Sequence, residues 1–158
     1  MGAMKSTVHI KKVESYSIDK IESFIHEVLT AIDRKGTLFS IGEKVLLKPN
    51  LLRGFTPEHC VTTHPAVIEA ICRVLKDYSI GQITISDSPA LGSLQAVASK
   101  AGYDQLKSKY GVKIIPLTNP LPFENEEGVP HLKIAGCLRE FDHIINMPKV
   151  KSHCQMVM

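Results

Sequence analysis

Hydrophobic residues form two kinds of pattern along the chain, stripes at helical spacing and short continuous runs. From Ile18 to Ile32, apolar residues recur every three or four positions while charged residues take the other side, which is typical of an amphipathic helix. Ser17 precedes this stripe, where its hydroxyl can cap the helix, and Gly36 is expected to end it. The pattern therefore predicts the first helix of the fold.

Short apolar runs predict strands along most of the chain. These runs are Val8–Val13, Lys44–Lys48, Gln82–Ser86 and Val112–Pro116. The second run is almost continuously apolar, as expected for a strand that is covered on both faces, and a Pro-Asn pair ends it.

Helices are predicted between these strands. The second helix opens at His64–Pro65 and carries an apolar stripe from Val67 to Tyr78. A helix over Leu94–Ala101 and a short piece around Leu106 follow the third strand. Because strands and helices alternate, we predict an α/β fold with three layers, a mainly parallel sheet with helices on both faces.

The final part of the chain is predicted to be less regular. Asn119–Pro130 is rich in Pro, Glu and Gly and predicts an exposed loop. Leu132–Ala135 and His143–Asn146 predict two more strands, which could add antiparallel edge strands to the sheet. The apolar end beyond Met147 has no helix to cover it, so we expect a chain truncated at its carboxyl terminus.

Composition narrows the class of protein. A chain of 158 residues with 44% hydrophobic content suits one domain, which we place at residues 5–158 because Met1–Met4 is typical of a vector-derived extension. A net charge of +3, only 6% aromatic residues and no tryptophan disfavour nucleic-acid binding. The absence of a long apolar run and of a signal sequence predicts no membrane partner and a cytoplasmic location. The cysteines show no C-x-x-C spacing, which indicates reduced thiols.

Polar residues cluster after the predicted strands. In parallel sheets, ligands bind beyond the carboxyl ends of the strands, because loops and helix amino termini converge there. The residues in these positions are Lys48, Asn50, Asp87, Ser88, Gly92, Ser93, Lys149, Lys151 and His153. We therefore expect the functional site at one rim of the sheet.

The last cluster, Lys149, Lys151 and His153, is the most informative. In an extended segment alternate residues point the same way, so these three would line one face over roughly 13 Å. Two ammonium groups about 7 Å apart repel each other, which indicates an anionic ligand such as phosphate or carboxylate. The alternative is that the lysines keep an exposed edge strand from pairing.

Asp87 and its neighbours allow more than one interpretation. Asp87 could hold a metal ion, accept a proton or pair with a lysine, or it could form an Asx turn. Gly92 and Ser93 open a helix whose backbone N–H groups suit an anion, although no phosphate-binding glycine motif is present. Lys48 and Asn50 could equally be a solvated strand end and a turn residue.

The segment Thr62–His64 lies at the entrance of the second helix, where its side chains could cap the helix or face the crevice. His59 and Cys60 lie just before it. Even with His153 and Cys154 brought close by the fold, the spacing matches no familiar metal site, and we predict none.

Four motifs together resemble those of the domain-of-unknown-function family 362. They are Lys48–Asn50, Thr62–Pro65, Asp87–Pro89 and Lys149–His153, which occur in the order and spacing of that family over nearly the whole chain. One departure is Ser152, where the family usually has threonine, a change that keeps the hydroxyl.

The resemblance implies that the family domain continues past residue 158 and that many members carry a ferredoxin-like module with two [4Fe–4S] cysteine motifs. This chain lacks those cysteines. We therefore expect no cofactor in this chain, with any cluster held by a missing carboxyl-terminal module or by a partner. The family has no settled reaction.

Two functions fit these observations. The first is a binding or catalytic domain for a small anion within a larger redox protein, in which Lys48, Lys149 and Lys151 hold the anion, Asp87 acts as acid, base or metal ligand, and His153 assists. The other ligand-binding candidates are Asn50, Thr63, His64, Ser88, Gly92 and Ser93. The alternative is a non-catalytic scaffold whose lysines dock an acidic, ferredoxin-like electron-transfer partner.

Overall fold

The computed structural model describes residues 6–33, 35–122 and 133–151. Its helices are α1 (Ile18–Ile32), α2 (Pro65–Asp77), α3 (Leu94–Lys100) and α4 (Asp104–Tyr110). Its strands are β1 (Lys44–Pro49), β2 (Gln82–Ile85), β3 (Lys113–Ile114), β4 (Pro120–Pro122), β5 (Lys133–Ala135) and β6 (His143–Met147). Single 3₁₀ turns occur at Pro57–His59 and Gly136–Glu140.

The main sheet is parallel, with the strand order β3-β2-β1-β6, and the four helices are arranged around it. The predicted α/β class is confirmed. The antiparallel strands that the sequence suggested are a separate pair, β4 with β5, and β6 joins the main sheet as a parallel neighbour of β1. Because β6 lies beside β1, its carboxyl end reaches the same rim as the ends of β1 and β2.

The core lies where alternate strand residues meet the apolar stripes of the helices. Val45 and Leu47 of β1 and Ile85 of β2 belong to one buried cluster with residues of all four helices. Leu46 and Thr84, which point to the other face, are also fully buried. The nearly continuous apolar run of β1 thus correctly predicted a strand covered on both faces.

The first predicted strand is wrong. Val8–Val13 has no regular structure, and Val8 and Ile10 are 77% and 89% exposed. A strand needs a partner for its backbone groups, and no strand of the described chain pairs with this segment. The apolar run alone therefore gave a false signal.

Smaller differences concern the ends of elements. Ser17 occupies the cap position of α1, but its hydroxyl makes no capping hydrogen bond. The predicted strand Val112–Pro116 is only two residues long, and part of the predicted loop after Asn119 forms β4. Residues 1–5, 34, 123–132 and 152–158 lie outside the described residues, and the predictions for Met1–Met4 and for most of that loop fall there. Within the described part, no helix is both long enough and apolar enough to cross a membrane.

Candidate functional site

Asp87 joins the ends of β1 and β2. These strands pair in register up to Leu47 and Ile85, so the residues that follow them are neighbours. The Lys48 ammonium donates to Asp87 Oδ1 at 2.9 Å, and the Leu51 backbone N–H donates to Asp87 Oδ2 at 2.7 Å. Both carboxylate oxygens are therefore engaged, and of the roles open to Asp87 the geometry shows the pairing with a lysine.

Thr63 ties the ends of β1 and β6 to the start of α2. Its hydroxyl accepts a hydrogen bond from the Asn50 backbone N–H at 2.9 Å and donates to the Met147 carbonyl at 2.7 Å. Its own N–H donates to the Asn50 carbonyl at 3.1 Å. Tyr103, which is fully buried, donates its hydroxyl to the Thr63 carbonyl at 2.7 Å. One buried threonine thus fixes three elements at the rim.

Two predicted site residues, Asn50 and Lys151, share the Val61 carbonyl as a hydrogen-bond acceptor. The Asn50 side-chain amide donates to this oxygen at 3.1 Å, and the Lys151 ammonium donates to it at 3.4 Å. Asn50 therefore does not bond its own backbone through this amide. Residues about one hundred positions apart in sequence share an acceptor, which confirms that β1 and the segment after β6 converge.

His64 is both a helix cap and part of an aromatic stack. Its Nδ1 accepts the Ala66 backbone N–H at 3.2 Å, which caps α2. The Tyr16 ring stacks on the imidazole with the ring centroids 3.6 Å apart and the planes within 6° of parallel. The Lys149 ammonium donates to the Tyr16 hydroxyl at 3.2 Å. We call Thr63, His64, Lys149 and Lys151 the rim site.

Positive charge dominates the rim site. Lys48 is neutralised by Asp87, but no carboxylate of the described residues lies within ion-pairing distance of Lys149 or Lys151. Both lysines are half-buried. Partial burial and the neighbouring Lys149 charge lower the pKa of His64, and Glu58 opposes this shift weakly. The ring is therefore neutral near physiological pH, with its proton on Nε2 because Nδ1 accepts.

The His64 ring is expected to make the domain less stable as the pH falls through about 6.5, the ordinary histidine pKa. Because the folded-state pKa is lowered, the unfolded chain binds more protons in the range below about 6.5, and the free energy of unfolding decreases there. Urea denaturation at a series of pH values measures this slope. His64→Asn, which retains a good capping side chain without a titrating group, should remove its share of the slope.

His59→Asn is the matched control, because His59 is exposed and lies outside the rim site. The slope should fall more in His64→Asn than in this control. An unchanged slope in His64→Asn would show that the titration of this ring is not coupled to folding.

The remaining predicted site residues do not join the rim site. Ser88, Gly92 and Ser93 are exposed, and no hydrogen bond within the described chain connects them to Lys149 or Lys151. The Ser93 hydroxyl accepts the Ala96 N–H at 3.3 Å and caps the seven-residue α3. His153 lies outside the described residues, as do Ser152 and Cys154.

Two tyrosines were missed in the sequence. Tyr103 follows Gly102 between two short helices, and a buried tyrosine rather than phenylalanine indicates a polar partner for its hydroxyl, which is a usable signal. Burial raises the pKa of Tyr103 well above its ordinary value, so the hydroxyl stays a donor. Tyr16 lies in an irregular segment before α1, and nothing in its sequence surroundings indicates that it stacks on His64.

One group of potential metal ligands lies away from the rim site. Glu22 and His26 of α1 and Asp77 of α2 bring their ligand atoms within 4.8 Å of one another. Glu22 also accepts a hydrogen bond from the Arg73 guanidinium at 3.1 Å, which places a positive charge beside it. This arrangement is explained by ion pairing between the two helices.

Comparison with known proteins gives a family and one relative. The profile of a family described as a domain of unknown function (DUF362) matches residues 45–158. The thylakoid-associated protein sll1697 of Synechocystis sp. is 30% identical over 155 residues, which cover 98% of this chain and 48% of that protein. The chain thus spans about half the length of the curated relative it matches. No solved structure matches.

Proposed function

The chain belongs to the domain-of-unknown-function family 362, as its motifs predicted, and from that premise we propose that the rim site binds a small anion, a phosphate or a carboxylate. One observation carries the proposal. Lys149 donates to Tyr16, which stacks on the capping residue His64, and Lys151 donates to the Val61 carbonyl three residues before it; both lysines are half-buried, and no carboxylate of the described residues neutralises them. An anion would supply the negative charge that these two partly buried ammonium groups lack.

Two further groups favour an anion. The amino terminus of the thirteen-residue α2 carries a partial positive charge, which attracts negative groups. Neutral His64, with Nδ1 as the acceptor for Ala66, presents an Nε2–H that can donate to an anion oxygen. Lysine charge, helix dipole and imidazole donor then act on the same ligand.

We assign Lys48 and Asp87 a positioning role. Their ion pair holds the Leu51 N–H and so fixes the turn that presents Asn50. Asn50 in turn shares the Val61 carbonyl with Lys151, so the pair acts on the anion through the position of that lysine. His153, two residues beyond Lys151 in the sequence, is proposed to assist at the same anion.

The setting of the domain is also part of the proposal. The family resemblance supports a larger, iron–sulfur-linked redox protein in which this chain contributes the anion site and another module or a partner holds the cluster. The described cysteines, Cys60, Cys72 and Cys137, are free thiols, as is usual in the reducing cytoplasm, which supports a cytoplasmic location.

Replacing both Lys149 and Lys151 with methionine should weaken phosphate binding by roughly 100-fold or more, because each of the two charge-assisted hydrogen bonds contributes about 1.5–3 kcal/mol. Isothermal titration calorimetry with inorganic phosphate and with acetate measures the effect. The control is Lys20→Met with Lys113→Met, which removes the same charge from exposed positions outside the rim site. Equal weakening by both pairs would mean that only net charge matters.

Salt concentration separates this function from the docking alternative. Binding in a half-buried site should weaken only modestly as ionic strength rises, whereas docking of an acidic protein through exposed lysines should weaken steeply. If phosphate and acetate fail to bind while an acidic ferredoxin binds through Lys149 and Lys151, the domain is a docking scaffold and the anion site is wrong.

A further inference from the structure

An apolar groove of about 900 Å³ opens beside the rim site, between α1, α2 and β6. We call it the α1–β6 groove. Its apolar walls include Ile25 and Val28 of α1, Val67 and Ile71 of α2, and Ile145 and Met147 of β6. Its volume lies within the range of about 300–1,000 Å³ that is usual for small-molecule sites.

The groove is open because α1 buries little of its apolar stripe. Leu29 is the only buried residue of α1, although the helix is strongly amphipathic. Ile21, Phe24, Ile25 and Val28 are half-buried and line the groove. The same helix is fixed at its amino-terminal half by Arg73 of α2, which donates to Asp19 and Glu22. A stripe held next to α2 but left partly uncovered is suited to an apolar ligand.

The polar end of the groove coincides with the rim site. Thr63, His64 and Lys149 line the groove as well as the rim site, and they lie near the carboxyl end of β6. Phe39 and His143, whose rings meet edge to face at 4.9 Å between centroids, line it near the amino end of that strand. The groove is therefore cationic at one end and apolar along its length.

We infer that the rim site and the α1–β6 groove together bind an amphiphilic anion, a carboxylate or phosphate that carries an apolar chain or ring. This inference rests on the proposed anion site and adds the class of its ligand. Lys149 and His64 take the charged head, and the tail lies along β6 against Val28 and Val67. The five residues of β6 span roughly 13 Å, which sets the length of the extended tail.

The charge distribution selects this occupant. A wholly apolar ligand would leave Lys149 without a counter-ion at the mouth of the groove, and a bare phosphate would leave the apolar walls in water. A molecule with both parts satisfies the cationic end and the apolar length at once.

Binding of n-alkyl carboxylates to the 158-residue protein tests the inference. Acetate, butyrate, hexanoate and octanoate, each below its micellar concentration, are titrated by calorimetry. Because burial of one methylene group contributes about 0.8 kcal/mol, each added methylene should tighten binding roughly three- to fourfold until the groove is full. Lys149→Met should weaken all four ligands by a similar factor and leave this chain-length dependence intact.

Two variants separate the head site from the groove. Val28→Thr combined with Val67→Thr keeps the side-chain shape but adds hydroxyls to the walls, so the gain per methylene should shrink while acetate binds as before. Ile41→Thr is the control, because Ile41 is 86% exposed and lies outside the groove.

The outcomes distinguish the inference from the proposed function. If acetate and phosphate bind but affinity does not rise with chain length, the amphiphile is wrong and the anion site stands. If no carboxylate or phosphate binds, both fail. A dimer in sedimentation velocity that does not bind octanoate and is not dissociated by it would mean that a second copy of the chain occupies the groove. That result overturns the inference.

Discussion

Thr63→Val is expected to lower the free energy of unfolding by about 2–4 kcal/mol and the melting temperature by roughly 5–12 °C. Valine has nearly the same shape as threonine but lacks the hydroxyl. The Asn50 N–H then loses its acceptor and the Met147 carbonyl loses its donor, because both bond the buried Thr63 hydroxyl. Each unsatisfied buried group costs about 1–3 kcal/mol. Urea and thermal denaturation measure the loss.

Thr63→Ser is the matched control, because serine keeps the hydroxyl and loses only a methyl group. It should cost about 1 kcal/mol, the transfer free energy of that group. Since Thr63 positions the start of α2 against β6, phosphate affinity should fall in the valine variant and remain in the serine variant. Equal stability of the two variants would show that the hydroxyl bridge does not hold the rim together.

Asp87→Ala is expected to destabilise the domain by about 2–3 kcal/mol. The change leaves the Leu51 N–H buried without an acceptor and removes the counter-ion of Lys48. The second contribution is the smaller one, because the Lys48 side chain is 40% exposed and water can solvate it. The loss of phosphate affinity should accompany the loss of stability, since the turn at Asn50 is no longer fixed.

Asp87→Asn separates the two contributions. The amide oxygen can still accept the Leu51 N–H, so this variant should lose only about half as much stability as Asp87→Ala. Lys48→Met should cost less than Asp87→Ala, because the Leu51 N–H still donates to the carboxylate. If Lys48→Met were as damaging as Asp87→Ala, the ion pair and not the Leu51 bond would dominate.

Local patterns predicted the elements with strong periodicity or continuity. The stripe from Ile18 to Ile32 gave α1, although the helix ends at Ile32 with Asp33 as its cap and not at the expected Gly36, and the run from Lys44 gave β1. The run at Val8–Val13 failed, because a strand depends on a neighbour that the segment itself does not encode. The His64 ring caps α2, whereas the hydroxyl of the neighbouring Thr63 donates to the Met147 carbonyl of β6.

The order of polar residues after strands was enough to place Lys48, Asn50, Asp87, Lys149 and Lys151 at one rim, because the carboxyl ends of parallel strands share an edge. The two lysine-bearing segments and the Asn50 turn do meet there.

The partner of each side chain was decided only by the tertiary structure. In the structure, Asp87 accepts hydrogen bonds from Lys48 and Leu51, and Tyr16 stacks on His64. The groove beside Lys149 exists because of the position of α1. Sequence patterns act through neighbours along one element, whereas a hydrogen bond or a groove depends on distances between residues that the chain brings together from far apart. The sequence therefore determines the helices and strands and the positive charge of the rim. The fold determines which of these residues contact one another, and hence what they can bind.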